Sequence, residues 1–568
     1  MIFQPPPPVS FSHPTDVNEP YPILQIGRHT YIRSGSAGSA DIVPTGPTTT
    51  SSTDDFHTTL LTNQLRRPIH PLSRVHPSFR GPSTTTPPTR AKPPAHLSLL
   101  REVLFVLLIC LSQVLMLAGI SQALVPQVLI GSSFPDTTPG SLAWYSASYG
   151  LTAGTFVLPA GRLGDLFGHK KIFIIGFFWF GAWSLAAGFA EMVQMRAGGG
   201  GTVFFCLCRA MQGVGPAMLV PNGQAMLGRT YVPGKRKNVV MSLFGAAAPL
   251  GFVLGAVMSS LFAERVGWPW GFWAMAAVCG VLGAVSWGVI PGREERDHGR
   301  ERENEGLWTR LDGYGMGLGV SGLVLFNFAF NQAPIVTWTT PYTYFILVIA
   351  VLLLAGFIYH ELITPHPLVP IPAMRSQTNF VLGCTAAGWG CFSIWVYYAL
   401  ATLQNIRHWS PLLSSAAFAH APVSGFVASM LTAYLMSRIK PYWIMFISMC
   451  AFFIGSVLLA TAPTNQLYWL NTFFGILVMP FGMDMSNPAA TIILSNSVPK
   501  EHQGIAASLV VTVVNYSISL ALGLGGTLEV NVNDGGQNLE AGYRGAQWLS
   551  VGLGGLGVGL AAAFLARS

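Results

Sequence analysis

The chain has 568 residues, of which 51% are hydrophobic and only 10% charged, with a formal net charge of +8. Soluble domains carry about 25% charged residues, so this composition, with a mean hydropathy of +0.47, excludes a soluble multi-domain enzyme. The basic residues fall in alternating loops rather than along one face, which argues against a nucleic-acid partner.

Residues 1–98 are rich in Pro, Ser, Thr and His, with an unbroken run from Pro5 to Pro8 and a Ser/Thr run from Thr48 to Thr53 that offers phosphorylation positions. Such a segment buries too little apolar surface to offset chain entropy, so a disordered cytoplasmic tail is expected. The first apolar run begins only near residue 100, and no signal peptide is expected ahead of it. Fourteen apolar stretches then follow, at about 101–124, 143–161, 171–190, 202–226, 239–262, 268–290, 313–331, 343–362, 379–402, 414–436, 442–462, 467–492, 504–527 and 545–566. A bilayer core about 30 Å thick needs about 20 apolar residues per helix. The fold class is therefore an all-α polytopic membrane protein with 14 transmembrane helices.

With the N-terminus in the cytoplasm, the inner loops collect Lys170, Lys171, Arg229, Lys235, Arg236, Lys237 and the basic residues from Arg293 to Arg310. The outer loops collect only Arg196, Arg265, Arg407 and Arg544. The positive-inside rule then places both termini in the cytoplasm. The charged cytoplasmic loop at 291–312 separates the six spans of 101–290 from those that follow. Trp268, Trp270, Trp338 and Trp548 flank spans and read as interfacial anchors.

All seven cysteines (Cys110, Cys206, Cys208, Cys279, Cys384, Cys391 and Cys450) lie in apolar spans or at their ends without CxxC spacing. Neither a zinc site nor a disulfide framework is expected, and no metal or cofactor. No G-x-x-x-x-G-K-[ST] phosphate loop is present, which argues against an ATP-driven pump.

Between spans 2 and 3 the chain reads Gly161-Arg162-Leu163-Gly164-Asp165-Leu166-Phe167-Gly168-His169-Lys170-Lys171. Gly161 and Gly168 permit close backbone approach or positive φ. Asp165 can face a helix N-terminus or a basic neighbour, and Lys170 holds the turn on the cytoplasmic side. In span 4, Arg209 precedes Gln212-Gly213. An arginine in a span faces a cavity or a partner, or it snorkels to the interface. Span 5 carries Gly245, Pro249, Gly251 and Gly255, where small residues four apart let helices pack and proline bends the helix.

Span 12 holds Asp484 beside Ser486, Asn487 and Pro488. An acid at that depth is a candidate proton carrier or cation ligand. Equally, it reads as a locally hydrogen-bonded group supporting a proline kink. Gln113, Gln122, Asn327, Asn331, His420 and Asn515 are further polar candidates for a substrate path, each also readable as a helix-to-helix hydrogen-bonding residue.

These strings carry a resemblance. The 161–171 turn resembles the loop signature of the major facilitator superfamily, with Leu166 where the family has arginine and His169 at its second basic position. Cys208 to Asn222, Arg229-Thr230-Tyr231, Leu318 to Pro334 and Gly482 to Asn515 resemble the fungal fourteen-span drug:proton antiporter branch, in its aminotriazole-resistance-like subfamily. The resemblance implies two six-helix halves, 101–290 and 379–566, with two inserted helices at 313–362. It implies that Gly161, Asp165, Gly168 and Lys170 latch the halves, that Arg209 takes part in proton coupling, and that Gly245, Pro249, Gly251 and Gly255 form an antiporter motif with Ala248 replacing its glycine. Asp484 joins Arg209 as a proton-coupling candidate. Span 1 lacks the acid usual in that branch, reading Leu117-Ala118-Gly119-Ile120-Ser121-Gln122.

The function expected is a proton-coupled antiporter exporting small toxic organic compounds or metabolites by alternating access, acting as a monomer. Its expected partners are a small-molecule substrate, protons and the lipid bilayer, in the plasma membrane or the vacuolar membrane. The resemblance extends to carriers of ammonium and boric acid, so a low-affinity transporter of such a solute is the alternative. A non-transporting nutrient sensor using the long tail is a second one.

Overall fold

Apolar runs long enough to cross a bilayer form helices here because the hydrocarbon core leaves backbone polar groups no other partner. The computed structural model describes residues 98–231, 235–291, 306–364, 367–369, 371, 374, 376–498 and 503–567. The tail, with its Ser/Thr run, and most of the 291–312 loop lie outside the described residues. The described residues belong to one unit, Ala91–Ser568, and contain no strand.

In chain order the long helices are α1 (Leu99–Leu124), α2 (Pro139–Thr155), α3 (Val157–Phe167), α4 (His169–Gly188), α5 (Gly201–Thr230), α6 (Lys235–Arg265) and α7 (Pro269–Val289). After the charged loop come α8 (Gly313–Val336), α9 (Pro341–Ile363) and α10 (Ser376–Ala401), the last continued by a π turn at Thr402–Ile406. The remainder are α11 (Pro411–Ala417), α12 (Ala421–Leu435), α13 (Pro441–Ala460), α14 (Asn471–Ser497), α15 (Gln503–Val532) and α16 (Leu539–Arg567).

Twelve helices among the described residues are long and apolar enough to cross a membrane. Sequence spans 2 and 12 fall outside that set, for two different reasons. Span 2 is broken into α2 and α3, of 17 and 11 residues. Pro159 lacks an N–H for the carbonyl of Thr155, and its ring crowds that carbonyl, so the helix interrupts at Phe156. Span 12 is continuous in α14, but Asn471, Asp484, Asn487 and Asn496 lower its apolarity.

The helices pack in two sets of neighbours. α1 lies along α6, α4 along α5 and α7, and α2 against α5. α13 lies along α14 and α16, and α10 against α15 and α16. Between these sets, α2 meets α15, and α6 meets α11, α12 and α14. α8 packs against α9, α15 and α2.

Lipid tails are as apolar as leucine, so close backbone approach, rather than water exclusion, holds such helices together. The α1–α6 seam shows it. A Cβ on Gly251 would lie 2.3 Å from the carbonyl oxygen of Val114, and one on Gly255 would lie 2.4 Å from Cα of Ala118. Both obstacles are backbone, which cannot swing aside. Gly251→Val is therefore expected to separate α6 from α1 and lower folded protein several-fold in fluorescence-detected size-exclusion chromatography. Gly245, with nothing within 4 Å of its Cβ position, should tolerate alanine in the same assay.

Of the tryptophans read as interfacial anchors, Trp270 and Trp548 are exposed, but Trp268 is not. It is buried against Phe134, Phe205 and Phe272, and its indole N–H donates to Ser133 Oγ at 3.0 Å. Phe272 is four residues along the same helix, but Phe134 and Phe205 arrive from two other segments, which the local pattern could not foretell.

Candidate functional site

A small pocket lies where α1, α2, α6, α10 and α15 converge. Leu117, Ile120 and Leu124 of α1, Phe252 of α6, Phe392 and Val396 of α10, and Ile518 and Leu522 of α15 line it. Its polar side chains are Ser146, Ser393 and Tyr397, and among the described residues no charged one is part of the wall. Ser393 and Tyr397 are four apart on α10 and so share a face. That spacing of polar groups in an otherwise apolar run was the signal available in the sequence.

None of Gln113, Gln122, Asn327, Asn331, His420 and Asn515 lines this pocket. Asn327 and Asn331 join α8 to α15. Asn331 Nδ2 donates to Asn327 Oδ1 at 2.8 Å and to the Ser519 carbonyl at 3.1 Å, while Ser519 Oγ donates to Asn327 Oδ1 at 2.9 Å. Asn515 donates to the Val511 carbonyl at 2.9 Å, and its Cβ lies against Gly154 of α2. His420 stands at the α11–α12 break, with its ring stacked 4.5 Å from that of Phe473. The Oε1 atoms of Gln113 and Gln122 are buried without a partner.

Arg209 is fully buried, which overturns the snorkelling alternative. Its Nε donates to the Tyr145 carbonyl at 2.9 Å, its Nη2 to the Gly119 carbonyl at 2.7 Å, and its Nη1 to Gln212 Oε1. The guanidinium carbon sits 4.5 Å from the ring centre of Tyr149. Gln212 in turn donates to Ser184 Oγ at 2.6 Å. Among the described residues no carboxylate pairs with this cation. Neutral carbonyls and a ring face hold it, tying α1, α2, α4 and α5 together.

Asp484 projects from α14 toward α6 and α12. A Cβ on Gly425 of α12 would lie 2.7 Å from Asp484 Oδ2 and 2.5 Å from Cγ of Pro249 on α6. Residues selected separately from spans 5 and 12 thus meet at one crossing. Asp484 Oδ2 is buried without a hydrogen-bond partner, and Ser486 is engaged elsewhere, with the Met483 carbonyl and the Trp389 indole. The local hydrogen bond from Ser486 to Asp484 does not form.

The 161–171 turn is built around α3 and its C-cap. Gly168 sits at φ +96°, where a side chain would be strained. Asp165 Oδ1 accepts from Arg229 Nη2 at 3.0 Å and faces His169 Nε2 at 3.4 Å. Burial alone raises the Asp165 pKa, but the neighbouring His169 ring and the charges of Arg229 and Arg162 outweigh it and hold the carboxyl below its ordinary value. His169 Nδ1 pairs with Asn222 Oδ1 at 2.7 Å, and Asn222 donates to the Ala160 and Met218 carbonyls. Lys170 Nζ donates to the carbonyls of Trp287 and Ile290, pinning the turn to the end of α7. Gly161 faces α15, with its Cβ position 3.5 Å from Ser508 Oγ.

Arg229 and Asn222 lie far along the chain from Asp165, and sequence reasoning assigned them no part in this turn. Glu529 was missed for a different reason. The expected span ended at 527, but α15 continues to Val532, and Glu529 accepts from the Tyr398 hydroxyl at 2.8 Å.

Comparison with known proteins matches this arrangement. The Major Facilitator Superfamily family model matches residues 103–524. A low affinity ammonium transporter of Saccharomyces cerevisiae is 50% identical over 82% of this chain and 89% of its own. Efflux pump terJ of Aspergillus terreus is 44% identical over 81% and 87%, and the aminotriazole resistance protein of Saccharomyces cerevisiae 35% over 82% and 84%. The solved structure of the POT family transporter PepTSo shares the fold with a TM-score of 0.56, at 13% identity over 81% of this chain and 97% of that one. The chain belongs to the Major Facilitator Superfamily and is a multi-pass membrane transporter.

Proposed function

We propose that this transporter is a proton-coupled antiporter exporting neutral or weakly polar organic compounds by alternating access. The observation that carries the reading is the central pocket, whose wall is apolar and aromatic with three hydroxyls and no charge. Such a wall favours a ring-bearing or apolar solute over a small cation, which would lose its hydration without a counter-charge. Asp484 stands outside that wall, so a proton there and a substrate in the pocket would occupy separate places.

In this reading α2–α3 and α14 complete fourteen spans, 101–290 and 379–566 form the two halves, and 313–362 is inserted between them. The two sets of packed helices support that division. The basic inner loops support cytoplasmic termini, and a monomer in the plasma membrane is the assembly proposed. Of the proposed latch residues, Gly161 faces α15, which supports a contact between the halves there, while Asp165 and Lys170 hold the turn to α5 and α7 within 101–290.

The latch has its own test. Asp165 and Arg229 are each about half exposed (52% and 51%), so their pair is worth less than about 1 kcal/mol. Because the Asp165 carboxyl titrates below its ordinary value, the pair persists at cytoplasmic pH and is lost only as pH falls through that lowered value. Asp165→Asn is therefore expected to raise thiol labelling of Ser508→Cys by about fivefold or less at neutral pH. Unchanged labelling would argue against the latch.

The export reading is tested in transporter-deficient yeast preloaded with a panel of neutral azoles and dyes, with and without an uncoupler. Uncoupler-sensitive efflux of panel members is expected. A second reading, carriage of ammonium, is favoured by the 50% identity to the yeast low affinity ammonium transporter. Methylammonium uptake without efflux of any panel member would establish that reading instead.

A further inference from the structure

α12 and α13 each pack on α14, and each leaves a face exposed. On α12 that face carries Val423, Val427 and Tyr434, and on α13 it carries Trp443, Ile447 and Ile454. Residues four and seven apart share one side of a helix, so each set forms an apolar stripe. Both stripes lead to the turn 436–440, where α12 has ended and α13 begins. In a bilayer such stripes are covered by acyl chains. Tyr434 and Trp443 stand nearest the turn, at the level where aromatic rings meet headgroups.

The turn itself carries Arg438 and Lys440, both exposed. Several cations of the other inner loops are engaged: Arg229 pairs with Asp165, Arg236 with Glu102, and Lys170 donates to carbonyls at the end of α7. Among the described residues, Arg438 and Lys440 meet neither a carboxylate nor a carbonyl with their side chains. The Arg438 guanidinium carbon lies 5.5 Å from the ring centre of Tyr434, and Lys440 Nζ lies 5.8 Å from that of Tyr442. A ring face attracts a cation but leaves its N–H donors to be met elsewhere. The two residues are two apart in the chain, so their Cα atoms lie within about 7 Å of each other. Both side chains are long and open to solvent, and one anion is within reach of the pair.

We propose that the turn 436–440 binds an anionic phospholipid, with its headgroup on Arg438 and Lys440 and its acyl chains against the stripes of α12 and α13. Phosphate oxygens accept from guanidinium and ammonium alike. A zwitterionic headgroup brings a cation of its own, so charge complementarity selects a headgroup with net negative charge. The inner leaflet as the source of this lipid rests on the orientation proposed above. The binding itself does not, because in a detergent micelle added lipid reaches both ends of the bundle.

The test uses the full-length chain in detergent, with bound lipid counted by native mass spectrometry. The probes are phosphatidylinositol, phosphatidylcholine with the same acyl chains, and glycerophosphoinositol, which is the anionic headgroup without chains. Phosphatidylinositol is expected to bind saturably and about twentyfold more tightly than phosphatidylcholine, and glycerophosphoinositol should not displace it. Arg438→Gln and Lys440→Gln should each weaken phosphatidylinositol about fivefold, the worth of one cation at an anionic lipid surface, and leave phosphatidylcholine unchanged. Lys171→Gln removes the same charge from another exposed position and should bind phosphatidylinositol like the wild type. The proposal is overturned if the variant carrying both Arg438→Gln and Lys440→Gln binds phosphatidylinositol as the wild type does. Equal weakening by Lys171→Gln also overturns it, since diffuse surface charge then accounts for the binding. Displacement by glycerophosphoinositol at the lipid's own concentration overturns it in favour of a soluble anion.

Discussion

Asp484→Asn is expected to abolish uncoupler-sensitive efflux while leaving surface expression unchanged. Asp484 is only partly buried, but its Oδ2 is enclosed near Gly425 and Pro249 with no donor among the described residues. Enclosing an ionised carboxylate oxygen without a partner is unfavourable, and a bound proton removes the charge. On the reading proposed above, the crossing of α6, α12 and α14 closes on the protonated acid and its opening to water permits release, which would tie a proton to a conformational step. Asparagine matches the protonated acid in shape but cannot release a proton, so the crossing should form normally and coupling should be lost.

The size of the effect follows from the driving force. One proton crossing 100 mV supplies about 2.3 kcal/mol and one pH unit about 1.4 kcal/mol. Together they sustain a gradient of a few hundredfold at one proton per molecule. In the variant the gradient should fall toward unity, while downhill exchange of preloaded substrate continues. Retention of a proton-driven gradient by Asp484→Asn would remove this residue from the coupling step.

Arg209→Ala is expected to fail earlier, at folding. It strips donors from the carbonyls of Tyr145 and Gly119 and from Gln212 Oε1, all within the bundle. Each orphaned acceptor costs about 1–3 kcal/mol, a large share of the stability of most folded proteins. Surface protein should drop about tenfold or more, measured by cell-surface biotinylation. Arg209→Lys keeps the charge but not the planar fork, and should recover part of the folded protein. Efflux per surface molecule in the lysine variant then separates structure from coupling. Full specific activity would make Arg209 a packing residue, and surface recovery without efflux would give it a direct part in transport.

The sequence by itself determined the class, twelve of the membrane-spanning helices and the family. Bilayer thickness imposes a length on every span and the absence of water imposes apolarity, and both are read one residue at a time. Local signals also sufficed for the bend in the 161–171 turn, because the positive φ of Gly168 acts through its own backbone, whereas Lys170 reaches the carbonyls of Trp287 and Ile290 at the end of α7. The interruption at Phe156 was within reach too, since Pro159 acts on a carbonyl four residues away.

Only the tertiary structure decided what the polar residues face. An intramembrane arginine or aspartate announces that it needs a partner, but the partner's identity depends on which helix lies opposite. Arg209 found carbonyls of α1 and α2 rather than an acid, and Asp165 found Arg229 from the far end of α5. Asp484 and Pro249, 235 positions apart in the chain, meet because α6 and α14 cross beside a glycine that lets them approach. Asn327, Asn331 and Asn515 have the same residue type as a substrate ligand, but they face neighbouring helices rather than the pocket. Periodicity specifies the face of a helix on which a side chain lies, and long-range packing alone chooses what that face meets.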